Sequence, residues 1–100
     1  MKRFKVRFTP EAEDDLLRLY DFLLDRDPSA AERALDSIKQ AMEILHFSPF
    51  SCRKAGPDNP FVREIIIPFG SAGYVALFEI EANGIVNVIA VRHQREDDYH

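Results

Sequence analysis

From Lys2 to Phe8 the chain alternates, with Phe4, Val6 and Phe8 on one side of an extended backbone and Arg3, Lys5 and Arg7 on the other. A period of two predicts a half-buried strand. Thr9 and Pro10 stop it. Thr9 is a capping residue, Pro10 suits a first helical turn, and Glu11 and Glu13 put negative charge where a helix dipole favours it. Ala12, Leu16, Leu19, Tyr20 and Leu23 then recur at helical spacing, which predicts a helix ending near Arg26, ahead of Pro28. Ser29 and Glu32 have the spacing of a capping box, and Ala31, Ala34, Leu35, Ile38, Met42 and Leu45 trace a second apolar stripe. The link around Asp27 and Pro28 is short enough to make the two helices an antiparallel hairpin.

From Ser48 to Pro60 the pattern disappears, and Pro49, Gly56, Pro57, Asn59 and Pro60 predict a loop that is long for so small a chain. Phe61 to Phe69 is rich in Ile and Val and reads as a strand, with Pro68 at its end or on a sheet edge. Gly70 to Gly73 turns the chain, and Tyr74 to Glu81 and Ile85 to Arg92 are two further strands. Between them Asn83-Gly84 is a strong hairpin signal, because both residues tolerate positive φ. The expected fold is α+β, ordered β-α-α-β-β-β, with the last three strands as an antiparallel meander and the helical hairpin covering one sheet face.

Composition narrows what such a domain does. One hundred residues, 46% of them hydrophobic, make a single domain over residues 1–100. The start of the chain lacks the continuous apolar core of a secretory leader, and no apolar run approaches a membrane span, so the expectation is a soluble, cytoplasmic protein with no membrane partner. Cys52 is the one cysteine, which excludes an internal disulfide and a cysteine metal cluster. The net charge of −4 argues against a general nucleic-acid binder. It is also unevenly spread: residues 9–46 carry ten acidic and four basic side chains, the remainder seven acidic and nine basic. A mildly cationic remainder can still hold one anion-facing patch.

Familiar catalytic signatures are absent: there is no Gly-rich phosphate loop, no G-x-S-x-G and no H-E-x-x-H, and His46, His93 and His100 have no metal-ligand spacing. No metal or cofactor is expected. What gathers instead is cationic. Arg63 sits in a predicted strand, Arg92 and His93 close the last one, and Arg95 lies just beyond. Because Arg63 and Arg92 belong to strands of one sheet, they are candidates to converge on the face left open by the helices; the other reading of these cations is cross-strand pairing with Glu64, Glu79 or Glu81. Imidazole can serve as a general acid or an anion donor, so His93 is a candidate for either role beside Arg92 and Arg95; the other reading is a satisfied structural histidine.

F-T-P-E-A-E-D-D-L at residues 8–16, R-E-I at 63–65, G-Y-V-A-L-F-E-I at 73–80 and V-I-A-V-R-H-Q-R-E at 88–96 together resemble the RelE/ParE superfamily of toxins from type II toxin-antitoxin systems, in its ParE-like, plasmid-stabilisation branch. The resemblance spans nearly the whole chain. It implies a toxin that inhibits DNA gyrase by binding and is neutralised by a cognate, ParD-like antitoxin, with Arg63, Arg92, His93 and Arg95 as the target- or antitoxin-binding residues. No sequence-specific nucleic-acid binding is implied, and a homodimer stays open. RelE-like members are instead ribosome-dependent mRNA endoribonucleases, for which Arg63, Arg92, His93 and Tyr99 would be the catalytic set. Against that branch, docking among ribosomal RNA phosphates calls for a strongly cationic surface, and this acidic chain has no lysine after Lys54. A third alternative is a degenerate module that binds antitoxin without toxicity.

Overall fold

Thr9 begins the first helix as expected: its hydroxyl accepts the Ala12 N–H at 3.1 Å and Pro10 fills the first turn. In the computed structural model, which describes residues 3–69 and 72–93, this helix is α1, Pro10–Arg26, preceded by strand β1, Lys5–Phe8. Helix α2, Pro28–Phe47, follows after one residue. A 3-10 turn at Pro49–Ser51 and a two-residue strand β2, Arg53–Lys54, interrupt the predicted loop. Then come β3, Val62–Phe69, β4, Ala72–Ile80, and β5, Ile85–His93.

The junction between the helices differs from its expectation. Ser29 does not cap α2; Asp27 does, its carboxylate accepting the Ser29 and Ala30 N–H groups at 3.1 and 3.3 Å. Pro28 explains the choice, since its fixed φ already belongs to the first helical turn and places the capping position at Asp27, two residues before Ser29. The Asp27 N–H also closes α1 through the Leu23 carbonyl at 2.7 Å, so a single residue ends one helix and starts the next.

The five strands lie in the order β1-β5-β4-β3-β2. The expected antiparallel meander of β3, β4 and β5 is present, while β1 pairs with β5 in parallel and makes the sheet mixed. The β4–β5 hairpin forms at Asn83-Gly84, with Gly84 alone at positive φ and Asn83 not. Both helices cover one sheet face. Ala12 and Leu19 of α1 and Ala34, Ile38, Ala41, Met42 and Leu45 of α2 pack on Ile65, Ile67, Tyr74, Ala76, Phe78, Ile80, Val86, Val88 and Val91. At the other end, His46 Nδ1 lies 2.9 Å from the Phe4 carbonyl and the Phe4 N–H donates to the His46 carbonyl at 2.7 Å, tying the end of α2 to the start of β1. No helix among the described residues is long and apolar enough to cross a membrane.

The cap assignment is checkable by denaturant unfolding. Asp27→Ala lowers stability by about 1 kcal/mol through loss of the cap, while Ser29→Ala stays within about 0.5 kcal/mol, the reverse of what a Ser29 capping box requires.

Candidate functional site

Register decides which side chains share a face. One row across the helix-covered side runs Lys54, Arg63, Phe78, Val88 and Phe8, and another runs Ile67, Tyr74 and His93. Across the opposite face, Arg53, Glu64, Leu77 and Ala90 form a row, as do Ile66, Val75 and Arg92, and as do Val62, Glu79, Asn87 and Arg7. The two arginines expected to converge therefore stand on different faces.

Arg63 is held by carbonyls. Its Nε donates to the Pro60 oxygen at 2.7 Å, and its Nη1 to the oxygens of Phe50 at 3.1 Å and Cys52 at 2.7 Å, with the guanidinium 5.2 Å from the Phe50 ring centroid. A planar fork of fixed N–H directions suits this task, in which one cation collects backbone oxygens from both ends of the 48–61 segment. The cross-strand alternative for Arg63 is equally displaced: Glu64 pairs with Arg53 at 2.7 Å and Glu81 accepts from the Asn87 amide.

Arg92 stands exposed on the open face, where Glu64, Val75, Leu77 and Ala90 join it around a hollow of about 170 Å³. Among the described residues it forms no ion pair. This is an apolar floor with a guanidinium at one end and a carboxylate, already neutralised by Arg53, at the other. Such a floor can bury an aliphatic side chain while the cation meets an acidic group beside it. Lys5, Arg7 and Arg53 add positive charge to the same face by register.

His93 packs edge-on against Tyr74, ring centroids 5.6 Å apart, and Tyr74 stacks on Phe69 at 5.7 Å. With Arg18, Leu19, Phe22 and Leu23 these rings line a cleft of about 480 Å³ beside α1. Periodicity alone missed it. Phe22 lies outside the α1 core stripe and is half exposed, with the Arg26 guanidinium 3.9 Å from its ring centroid, and an exposed phenylalanine beside a buried stripe was the available signal. Arg95 and Tyr99 lie outside the described residues. Burial pushes the Tyr74 phenol above its ordinary range; burial likewise raises the Cys52 thiol, against smaller opposing effects of the Arg63 charge and a Ser51 hydrogen bond. No group of His, Cys, Asp and Glu suited to a metal ion occurs among the described residues.

The site is thus set on a helical hairpin packed on one side of a mixed sheet, with a cationic strand end on the bare side. Residues 6–98 match the family described as the ParE toxin of the type II toxin-antitoxin system parDE, and the chain belongs to that family. It is 35% identical over 92 residues to Toxin RelE3 of Caulobacter vibrioides, covering 91% of this chain and 95% of that protein. To Toxin RelE1 of the same organism it is 34% identical over 93 residues, covering 93% and 96%. Among solved structures, the chromosomal ParDE toxin-antitoxin system of P. aeruginosa superposes with a TM-score of 0.69 at 18% identity, over 90% of this chain and 95% of that one. The RelBE2 toxin-antitoxin complex of Mycobacterium tuberculosis gives 0.61 at 20% identity, over 92% and 99%. The protein is thus a type II toxin of the ParE/RelE kind.

Two outcomes follow from this geometry. Arg63→Lys costs about 1–3 kcal/mol in denaturant unfolding, because a single ammonium cannot replace a fork that reaches three carbonyls. The second concerns alkaline pH. Tyr74 and Cys52 hold their protons more tightly folded than unfolded, so their contribution is whole at neutral pH and is lost as pH rises past the unfolded-chain values, about 8.5 for the thiol and about 10 for the phenol. Stability measured by urea titration declines over that window, and the decline starts at higher pH in Cys52→Ser.

Proposed function

We propose that this toxin inhibits DNA gyrase by binding it, through the open sheet face around Arg92, and that a cognate ParD-like antitoxin neutralises it. The observation that carries this reading is the dispersal of the candidate catalytic set. Arg63 is committed to three backbone carbonyls on one side of the sheet, Arg92 stands on the other, and His93 faces Tyr74 beside α1. RNA cleavage needs a phosphate-binding cation and proton-transfer groups within reach of one phosphodiester, whereas recognition of a protein needs a face. The match to the ParE family over residues 6–98 supports the same branch.

A second reading, ribosome-dependent mRNA cleavage, is favoured by one observation, the RelE names of the relatives at 35% and 34% identity. Purified protein decides between them. The proposed toxin blocks gyrase supercoiling and leaves ribosome-bound mRNA intact; cleavage of that mRNA with normal supercoiling overturns the proposal. Antitoxin binding with neither activity identifies the third reading, a module without toxicity.

The antitoxin is expected to use apolar side chains for the cleft lined by Phe22, Phe69 and Tyr74 and acidic ones for Arg92 and Arg95. Saturating antitoxin raises the melting temperature, since a partner present at about 100 times its Kd stabilises the native state by about 2.7 kcal/mol. An unchanged melting temperature sinks the partnership. Replacing Arg92 and Arg95 together with Ala abolishes growth inhibition while stability changes by no more than about 0.5 kcal/mol. Circular dichroism beside a growth assay separates a lost contact from a lost fold.

A further inference from the structure

Strand β5 changes its convention partway along. Val86 and Val88 face the helices, and so do Val91 and His93, so even positions serve the core before Ile89 and odd positions after it. The cause is a bulge: Phe78 opposes Val88 while Leu77 opposes Ala90, and Ile89 is left without a partner in β4. Strict alternation of side chains along a strand means that, without the extra residue, position 92 would lie beneath the helices and position 93 on the open face. The bulge therefore puts the arginine outside.

Two residues at the start of α1 hold that bulge. The Thr9 N–H donates to the Val88 carbonyl at 3.0 Å and its hydroxyl donates to the Ile89 carbonyl at 3.2 Å, while the same oxygen accepts the Ala12 N–H. Asp15 Oδ2 accepts the Val91 N–H at 3.0 Å, and Oδ1 pairs with Arg18 at 3.3 Å. Strand β1 ends at Phe8, opposite Val88, so its ladder stops short of Val91. The Asp15 side chain is only 22% exposed, and a part-buried acceptor aimed at a backbone N–H is costly to lose.

We infer that Thr9 and Asp15 are positioning residues for Arg92, because they lock the bulge and with it the face on which the guanidinium stands. This rests on the reading that Arg92 meets the target, yet the lock is measurable without the target. Amide hydrogen exchange by NMR reads it directly, alongside gyrase inhibition, in Asp15→Ala, Asp15→Asn, Thr9→Val and Thr9→Ser. Asp15→Ala and Thr9→Val speed exchange at Val91 by about tenfold relative to core amides such as Phe78, and weaken inhibition about tenfold. Asp15→Asn and Thr9→Ser, which keep an acceptor and a hydroxyl in place, restore both to within about threefold. If Asp15→Ala does not fold, Asp15→Ser, whose hydroxyl stops short of Val91, replaces it. Unchanged Val91 exchange overturns the inference, as does acceleration shared equally by all core amides, which marks a merely structural role. If Arg92→Ala itself inhibits gyrase normally, the target reading fails, and the exchange data still decide whether the lock exists.

Discussion

The arrangement of this toxin depends on a parity change in one strand. β5 has to be a core strand, because β1 on one side and β4 on the other leave it nowhere else to lie. It also carries Arg92, which faces outward and is proposed to meet the target. A strand with unbroken alternation can do both only if its sequence is arranged so from end to end; here one unpaired residue at Ile89 resets the alternation between Val88 and Val91. The extra residue leaves backbone groups that no neighbouring strand can satisfy, and the first turns of α1 satisfy them. Helix start, bulge and surface cation form one mechanical unit.

The segment between α2 and β3 shows a second economy of the same type. Its thirteen-residue stretch of weak local preference is organised by a single guanidinium at Arg63, by the Phe50 ring against Phe4 and Phe61, and by the two-residue ladder of β2 on β3. Here the loop carbonyls are collected by a side chain on the adjoining strand, which satisfies backbone oxygens that no ladder reaches. Arg63 looked available for recognition because a cation in an apolar strand has no local reason to be there. Its reason is thirteen residues away in sequence, at Phe50.

What was legible in the chain follows from range. The α1 and α2 stripes, the Thr9 cap and the β4–β5 turn are set by residues within a few positions of one another, and each is found where periodicity and turn chemistry place it. The capping box at Ser29 was legible and misleading, since Asp27, with Pro28 behind it in the first turn, takes the role two residues earlier. The parallel β1–β5 pair, the β2 strand and the bulge left no local trace, because each is specified by a partner strand. The candidate site suffered most from this. Val88 to Val91 reads as a uniform apolar run, and nothing in the run reveals that its second residue is unpaired and that Arg92 and His93 diverge as a result.

The parallel pairing of β1 with β5 has a consequence in time. Thr9 and Ile89, which hydrogen-bond to one another, are separated by 80 positions. During synthesis at about 5–20 residues per second, β1 waits several seconds for its strand neighbour β5, and the closed sheet appears only after β5 has left the ribosome. Non-local closure of this kind is slow and leaves the α1–α2 hairpin waiting with its apolar stripe uncovered. For a toxin of a type II system, the delay means that a nascent chain carries no assembled Arg92 face until translation has passed the whole fold, and an antitoxin segment already present in the cell can meet the toxin as it closes.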